Sequence, residues 1–265
     1  MSVEGIDCAH PLTKTDAAYF AGQGKKFVAR YVVPQSMAWK RLTKEEAQLT
    51  NDAGLDIVAV FESTANRMLK GQDAGMADAE AFLKEAALIG IPKGSGAYFA
   101  CDFDVQSDQM TVVEKYMRGV AVELGKDYRS GGYGSYRFIE EMAKRNAAEL
   151  FWQTYAWSGG KVSTKAHFIQ YSNGHTYNGF SYDLNRTLAQ DFGAWNLNAK
   201  PVISSVPTQP KTVINDTTVI DVELKNDRVR GDYAPLLDAL GIPYTWHPEQ
   251  KKLYIYWKKE GEKNG

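Results

Sequence analysis

The segment GAYFACDFD, residues 96–104, has the pattern of a buried strand that ends in two acids. Because side chains alternate along a strand, Asp102 and Asp104 are predicted to share one face with Tyr98, while the phenylalanines share the other. Carboxylates at the end of a buried strand are costly unless a partner or a function requires them. The segment therefore predicts a packed strand whose last residues belong to a functional site.

Short apolar strands followed by helices recur along the first 195 or so residues. Eight candidate strands lie at residues 4–10, 26–33, 55–62, 96–104, 130–136, 150–157, 165–172 and 180–185. Alternating strands and helices favour a parallel sheet covered by helices, and eight strands in so short a chain favour a closed barrel. We therefore predict an α/β fold, a compact (β/α)8-type TIM barrel with reduced outer helices near its C-terminal end. A doubly wound open sheet is the weaker alternative, because no GxGxxG motif follows the first strand.

The composition changes after residue 197, where the barrel is predicted to end. Residues 198–211, NAKPVISSVPTQPK, are rich in Pro and Ser and lack periodicity, which predicts a linker. Residues 212–258 have a β-β-α-β-β pattern and predict a small α+β C-terminal module. Residues 259–265 are predicted to form a disordered tail.

The charge balance and the cysteine content exclude several classes of function. With 31 basic and 32 acidic residues the net charge is -1, so we expect neither nucleic acid nor a membrane as a partner. Cys8, Cys101 and the four histidines lack metal-ligand spacing, so neither a metal nor a cofactor is expected. The first residues lack the features of a signal peptide, so we expect synthesis in the cytoplasm and action outside it after release. The oligomeric state stays open.

Further acids fall at or near the ends of other predicted strands. Asp7 lies near the end of the first strand, Glu62 closes the third, and Asp183 lies in the last. In a barrel such ends meet at one mouth, where Asp102 and Asp104 also belong. Carboxylates that share a site can hold different protonation states, as glycoside hydrolysis requires. These five acids are therefore the predicted catalytic residues.

Aromatic, amide and guanidinium side chains near the same strand ends predict a surface for sugar rings and hydroxyl groups. The predicted substrate-binding residues are Tyr98, Arg30, Tyr133, Gln153, Tyr155, Trp157 and Gln170. Trp157 begins a loop and is the strongest candidate for a platform under a sugar ring. Arg30 ends the second strand, where a salt bridge to Glu62 or Asp7 is as consistent with the sequence as a ligand contact.

Seven segments carry a resemblance to a known family: GIDCAH, FVARYVV, GLDIVAVFE, GIPKGSGAYFACDFD, GGYGSY, FWQTYAWSGG and HFIQYSNG…YDLN. Over residues 3–195 the chain resembles a family of glycoside-hydrolase-like TIM barrels of undefined function. That family is found in phage lysins and in actinobacterial secreted proteins. More distantly, the chain is similar to the glycoside hydrolase family 25 muramidases, which cut peptidoglycan.

The resemblance implies roles for individual acids. Asp7, Asp102 and Asp183 match acids of the muramidases, whereas Asp104 falls where those enzymes have their catalytic Glu. Aspartate is one methylene shorter, so its carboxyl lies about 1 Å further back, a misplacement that can cost about a hundredfold in rate. The resemblance leaves Asp104 or Glu62 as the general acid. It implies that Asp102 and Asp7 hold or activate the nucleophile and stabilise positive charge at the anomeric carbon. It implies that Asp183 orients the general acid.

Residues 232–257 resemble the small repeat first named from the N-terminal domain of copper amine oxidases, which implies cell-wall binding by the C-terminal module. Together these features predict a peptidoglycan hydrolase of the phage endolysin type. It would cleave a glycosidic bond in the peptidoglycan glycan strands of the Gram-positive wall with muramidase-like acid/base chemistry. A non-catalytic glycan-binding barrel and a phage structural or spore-coat protein are the alternatives.

Overall fold

The computed structural model describes residues 2–199 without a gap and, beyond them, six short strand segments. The chain divides into two compact units, residues 1–201 and 202–265. In the second unit the described strands pair antiparallel as β9 (Val213–Ile214) with β10 (Thr218–Val219), β11 (Leu224–Lys225) with β12 (Arg228–Val229), and β13 (Tyr244–His247) with β14 (Lys252–Ile255). The predicted helix of the module, most of the predicted linker and the predicted tail lie outside the described residues. The domain boundaries stay a prediction.

The first unit is a closed barrel of eight strands in sequence order, which confirms the predicted α/β barrel. The strands are β1 (Glu4–Asp7), β2 (Phe27–Tyr31), β3 (Asp56–Phe61), β4 (Gly96–Ala100), β5 (Arg129–Gly134), β6 (Leu150–Thr154), β7 (Phe168–Tyr177) and β8 (Phe180–Thr187). Strands β1 to β7 are parallel, whereas β8 runs antiparallel to both β7 and β1.

The reversal of β8 has a local cause in the two residues that precede it. Asn178 and Gly179 join β7 to β8 with φ angles of 46° and 84°. Two positive φ angles are typical of a type I′ hairpin turn, and a two-residue connection is too short for the crossover that a parallel strand needs. The first residues of β8 therefore lie at the mouth of the barrel, which is the end where strands β1 to β7 finish.

Five helices cover the outside of the barrel, and each follows one of the first five strands. They are α1 (Lys14–Gly22), α2 (Lys44–Asp52), α3 (Gln72–Ile89), α4 (Met110–Leu124) and α5 (Tyr136–Lys144). Within residues 2–199, no helix follows β6 or β7. This agrees with the prediction that the outer helices are reduced near the C-terminal end of the barrel.

Buried side chains form two layers, one on each face of the barrel wall. The outer layer packs the strands against the helices and includes both free cysteines, Cys8 and Cys101. The inner layer fills the barrel with aromatic rings, among them Tyr98, whose hydroxyl donates a hydrogen bond to the carbonyl of Phe192. Tyr98 is fully buried there, so it is a core residue and the predicted contact with substrate is wrong.

Arg30 lies on the outer face of β2, where it is fully buried. Its Nε donates to Glu46 Oε1 over 2.7 Å, and its guanidinium also donates to the carbonyl of Cys8. The predicted salt bridge from Arg30 to Glu62 or Asp7 is therefore wrong. Strand alternation explains the outcome, because Ala29 belongs to the inner layer and its neighbour Arg30 must point to the helices.

The contact between α3 and α4 depends on two glycines. A Cβ atom on Gly119 would lie 2.3 Å from the carbonyl oxygen of Gln72, and one on Gly75 would lie 2.1 Å from that of Tyr116. Backbone atoms cannot yield as a flexible side chain can, so the helices would have to move apart.

We expect Gly119→Ala to lower the free energy of unfolding by about 1–3 kcal/mol, as other overpacked cores do. Gly22→Ala is the matched control: it lies in α1 with no atom within 4 Å of the added Cβ. That variant should be neutral or stabilised by about 0.5–1 kcal/mol. Urea unfolding followed by circular dichroism measures both. Equal midpoints for Gly119→Ala and wild type would contradict the tight packing.

Candidate active site

A cavity of about 210 Å³ opens at the mouth of the barrel. Its lining residues are Asp7, Tyr31, Glu62, Ala100, Asp102, Tyr133, Trp152, Gln170, Asn173 and Asp183. Four of the five predicted acids therefore surround one space. They come from β1, the residue after β3, the loop after β4, and β8.

Asp7 is the most buried of these acids, with 7% of its surface exposed. Its Oδ2 accepts hydrogen bonds from Gln170 Nε2 at 3.0 Å and Asn185 Nδ2 at 2.6 Å. Burial, followed by the charge of Asp183, raises its pKa from the ordinary 3.8 to about 7, although the two amide hydrogen bonds act in the opposite direction. Asp7 therefore changes its charge close to neutral pH.

Asp183 faces Asp7 across the β1–β8 ladder, where the two residues are direct partners. The backbone N–H of Gly174 donates to its Oδ1 at 2.8 Å, and Gln170 Nε2 donates to its Oδ2 at 3.1 Å. Burial raises the pKa of Asp183, while the Gly174 hydrogen bond and the charge of His175 lower it. One amide nitrogen thus bridges two carboxylates.

The orientation of the Gln170 amide is fixed from its other end. Its Oε1 accepts hydrogen bonds from the Tyr133 hydroxyl at 3.1 Å and the Thr154 hydroxyl at 2.8 Å. Because both hydroxyls donate to the oxygen, the nitrogen must point to the acids. Gln170 and Tyr133 are therefore the two predicted substrate-binding residues that the structure places in the cavity wall.

Asp102 presents a carboxylate to which no side-chain hydrogen bond or ion pair is formed within residues 2–199. None of the side-chain hydrogen bonds found in residues 2–199 involves it, and it is only partly buried. Burial raises its pKa, as do the nearby charges of Glu62 and Asp183, whereas Lys40 lowers it. A carboxyl with a raised pKa and no protein partner is free to exchange a proton with a ligand.

Glu62 enters the cavity as the acidic half of an ion pair. Lys40 Nζ lies 3.1 Å from Glu62 Oε2, and both side chains are largely shielded from solvent. The same Nζ lies 4.4 Å from the centre of the Tyr31 ring, a cation–π contact on the cavity wall. The two members of the pair act on the pKa of Asp102 in opposite directions, Glu62 raising it and Lys40 lowering it.

Asp104 is exposed and does not line the cavity. The reason is the backbone, which leaves the barrel ladder before this residue. Cys101 N–H still donates to the Tyr133 carbonyl of β5, but Asp102 N–H donates to Ala65 in the loop after β3. The N–H of Val105 then bonds to the carbonyl of Phe103, which closes a tight turn around Asp104. The predicted alternation therefore holds through Phe103, which packs against the outer layer, and fails only at Asp104.

The other predicted binding residues lie outside the cavity. Gln153 points to the outer side and holds the loop that follows β6, because its amide contacts the N–H of Ser163 at 2.8 Å and the carbonyl of Lys161 at 2.7 Å. Tyr155 and Trp157 are exposed on that loop. Trp157 borders a second, shallower depression of about 430 Å³, which is lined by Tyr136, Arg137, Glu140, Glu141, Trp157, Ser158, Gly159 and Lys161.

Several contributors to the site were not among the predicted residues, including Tyr31, Ala100 and Trp152 of the cavity lining. Asn185 holds Asp7 and is itself held by Trp152, whose Nε1 donates to its Oδ1 at 2.9 Å. The sequence carried a signal for it, because Asn185 lies two residues after Asp183 in a strand and must share its face. Lys40 follows an irregular segment, and Asn173 lies in β7 where the pairing with β8 shifts register, so neither had such a signal.

Within the part of the chain that the structure describes, no group of three or more His, Cys, Asp or Glu side chains is arranged to hold a metal ion. None of the helices described has both the length and the apolar character needed to cross a membrane.

Comparison with known proteins places the barrel in a family. The description "Rv2525c-like, glycoside hydrolase-like domain" matches residues 18–187. The Mycobacterium tuberculosis Tat-secreted protein Rv2525c, solved with L-tartrate, has a TM-score of 0.66 at 23% identity, covering 73% of this chain and 98% of its own. An uncharacterized B. stearothermophilus protein has a TM-score of 0.54 at 17% identity, covering 69% of this chain and 94% of its own.

A glycosyl hydrolase 25 of Streptococcus pneumoniae also matches, with a TM-score of 0.49 at 15% identity, covering 69% of this chain and 86% of its own. No curated protein matches the sequence at a significant level. At these identities the first two structures show a shared fold alone, and the third, below a TM-score of 0.5, adds nothing to that assignment.

Proposed function

This chain belongs to the Rv2525c-like, glycoside hydrolase-like family, and we propose that its barrel hydrolyses a glycosidic bond in the peptidoglycan of Gram-positive walls. The proposal is an endolysin-type activity with muramidase-like acid/base chemistry, exerted on the wall outside the cytoplasm. One observation carries it: four carboxylates in unlike environments surround a single cavity at the mouth of the barrel. Pairs of titratable groups in unlike environments are the arrangement that divides acid and base roles.

Asp102 is the proposed general acid, in place of Asp104 or Glu62. Its raised pKa favours the protonated form, and its carboxyl has no side-chain partner among residues 2–199 that would compete with a substrate oxygen. The proton passes from the Asp102 carboxyl to the glycosidic oxygen as the bond from that oxygen to the anomeric carbon breaks. Glu62 supports this role because its negative charge opposes ionisation of Asp102.

Asp7 and Asp183 are proposed to serve the anomeric centre. Positive charge develops at this carbon during cleavage, and a carboxylate below it stabilises that charge. Water then adds to the carbon, its proton passes to the Asp102 carboxylate that the first step left ionised, and a new reducing end is formed while the acid is restored. Gln170 holds both acids in place through one amide nitrogen.

Digestion of purified Gram-positive walls tests the proposal. We expect the turbidity of the wall suspension to fall and new reducing sugar ends to appear. Mass spectrometry should show glycan fragments in which each cleaved bond has gained the mass of one water molecule. New free amines without reducing ends would instead indicate cleavage of peptide bonds. Binding to walls without any soluble product would favour the non-catalytic glycan-binding barrel, an alternative supported by the position of Asp104 outside the cavity.

A further inference from the structure

The cavity at the mouth is too small for a polymer. Its volume of about 210 Å³ is below the range of about 300–1,000 Å³ that is usual for drug-sized ligands. A chain that enters it can bury about one ring, so neighbouring units of the chain must lie on the rim. The rim of the barrel is therefore the place to look for a further binding site.

Two exposed tryptophans stand on that rim. Trp39 is 66% exposed in the loop after β2, and Trp157 is 46% exposed in the loop after β6. In the closed strand order β2 and β6 are four positions apart out of eight, so the two loops begin on opposite sides of the mouth. Each tryptophan therefore presents a separate aromatic face on the rim, and such a face has an apolar body on which a ligand ring can pack.

Trp39 is joined to the cavity through its neighbour Lys40. Lys40 Nζ lies 5.4 Å from the centre of the Trp39 ring and pairs with Glu62 at 3.1 Å. The indole thus lies one side chain away from the acids. Trp39 therefore adjoins the side of the cavity that Glu62 lines.

Trp157 is presented by a loop that is held in a fixed shape. Its φ of 55° is rare for a residue with a side chain. The Ser158 hydroxyl donates to the Thr154 carbonyl at 2.6 Å, which secures the loop directly after the tryptophan. A residue kept in a rare conformation by its surroundings is a frequent mark of a functional site.

The depression beside Trp157 is linked to the loop that carries Asp102. Arg137 lines the depression, and its guanidinium donates to the Val105 carbonyl at 3.1 Å and to Gln106 Oε1 at 3.0 Å. Two acids, Glu140 and Glu141, offset two bases in the depression, so its lining favours a neutral ligand over a strongly charged one.

From these observations we propose that the mouth is an extended glycan-binding site in which a neutral chain of pyranose rings crosses from Trp39 to Trp157. The apolar faces of two rings rest on the indoles, and the ring between them occupies the cavity. Only the position of the cut bond over Asp102 rests on the proposed function; the binding itself does not.

The test measures binding rather than hydrolysis. Full-length Asp102→Asn protein is titrated by calorimetry with β-1,4-linked N-acetylglucosamine oligosaccharides of two, four and six units. We expect affinity to rise from dimer to hexamer, and Trp39→Ala or Trp157→Ala to weaken binding of the hexamer about tenfold. The dimer should lose only about twofold, because it can still occupy the cavity and the remaining indole. Leu88→Ala is the control, since Leu88 is 63% exposed on α3 and lies on the outer helical layer.

Equal affinity for dimer and hexamer, or a hexamer affinity unchanged in either tryptophan variant, would overturn the inference. Length-dependent binding by a protein whose wild type releases no reducing ends would refute the proposed function and leave the binding site intact. Hydrolysis by the wild type without length-dependent binding would do the reverse.

Discussion

Asp102→Asn is expected to reduce the release of reducing ends from Gram-positive walls by about a hundredfold to ten-thousandfold, the range for loss of a general acid. Asparagine has the same shape but cannot give up a proton in this role. Since no side-chain hydrogen bond to Asp102 was found in residues 2–199, the substitution should leave the barrel folded. Initial rates at saturating wall concentration measure the loss, and circular dichroism verifies the fold.

Asp104→Asn is the matched control, because it makes the same chemical change two residues away. Its side chain is exposed and outside the cavity, so activity within about twofold of wild type is expected, as for other surface substitutions. Loss of activity in Asp104→Asn together with full activity in Asp102→Asn would refute the assignment. It would show that substrate binding brings the turn around Asp104 into the site.

The contrast between these two acids defines what a strand pattern can predict. Alternation correctly places Tyr98, Ala100 and Asp102 on the inner side, and Cys101 and Phe103 on the outer side. It fails at Asp104, because the N–H of Asp102 already bonds to a neighbouring loop instead of a strand and a tight turn follows. Periodicity describes a chain only while the ladder continues, and the residue at which a ladder stops is set by tertiary contacts.

Other parts of the fold were open to prediction to different degrees. Repeated strand–helix units were enough for the barrel, and the Asn178–Gly179 dipeptide between two strand patterns is a strong hairpin signal for the reversal of β8. The partner of Arg30 was not predictable, because it depends on how α2 packs over β2 and brings Glu46 inward. Alternation could have excluded Arg30 from the site, since it lies next to inward-facing Ala29.

Asp7→Asn is expected to make the barrel more stable at pH 8 while reducing its activity. The pKa of Asp7 is about 7 in the folded protein against the ordinary 3.8, so the folded state binds this proton more tightly than the unfolded state does. The stability gained from that proton is complete below about pH 3.8 and is lost as the pH rises through 7. The gap between the two values corresponds to about 4 kcal/mol.

Asparagine avoids this loss because it has no charge to bury, and its Oδ1 can accept both amide hydrogen bonds that Gln170 and Asn185 now give to Asp7. The variant should therefore match wild type near pH 4 and exceed it by up to about 4 kcal/mol at pH 8, as measured by urea unfolding across that range. Asp104→Asn, which removes an exposed carboxyl, should follow wild type throughout. If the free energies of unfolding of Asp7→Asn and wild type change with pH in parallel, the Asp7 carboxylate is well solvated. If the difference between them widens with pH but wall hydrolysis is unchanged, Asp7 is not a catalytic residue.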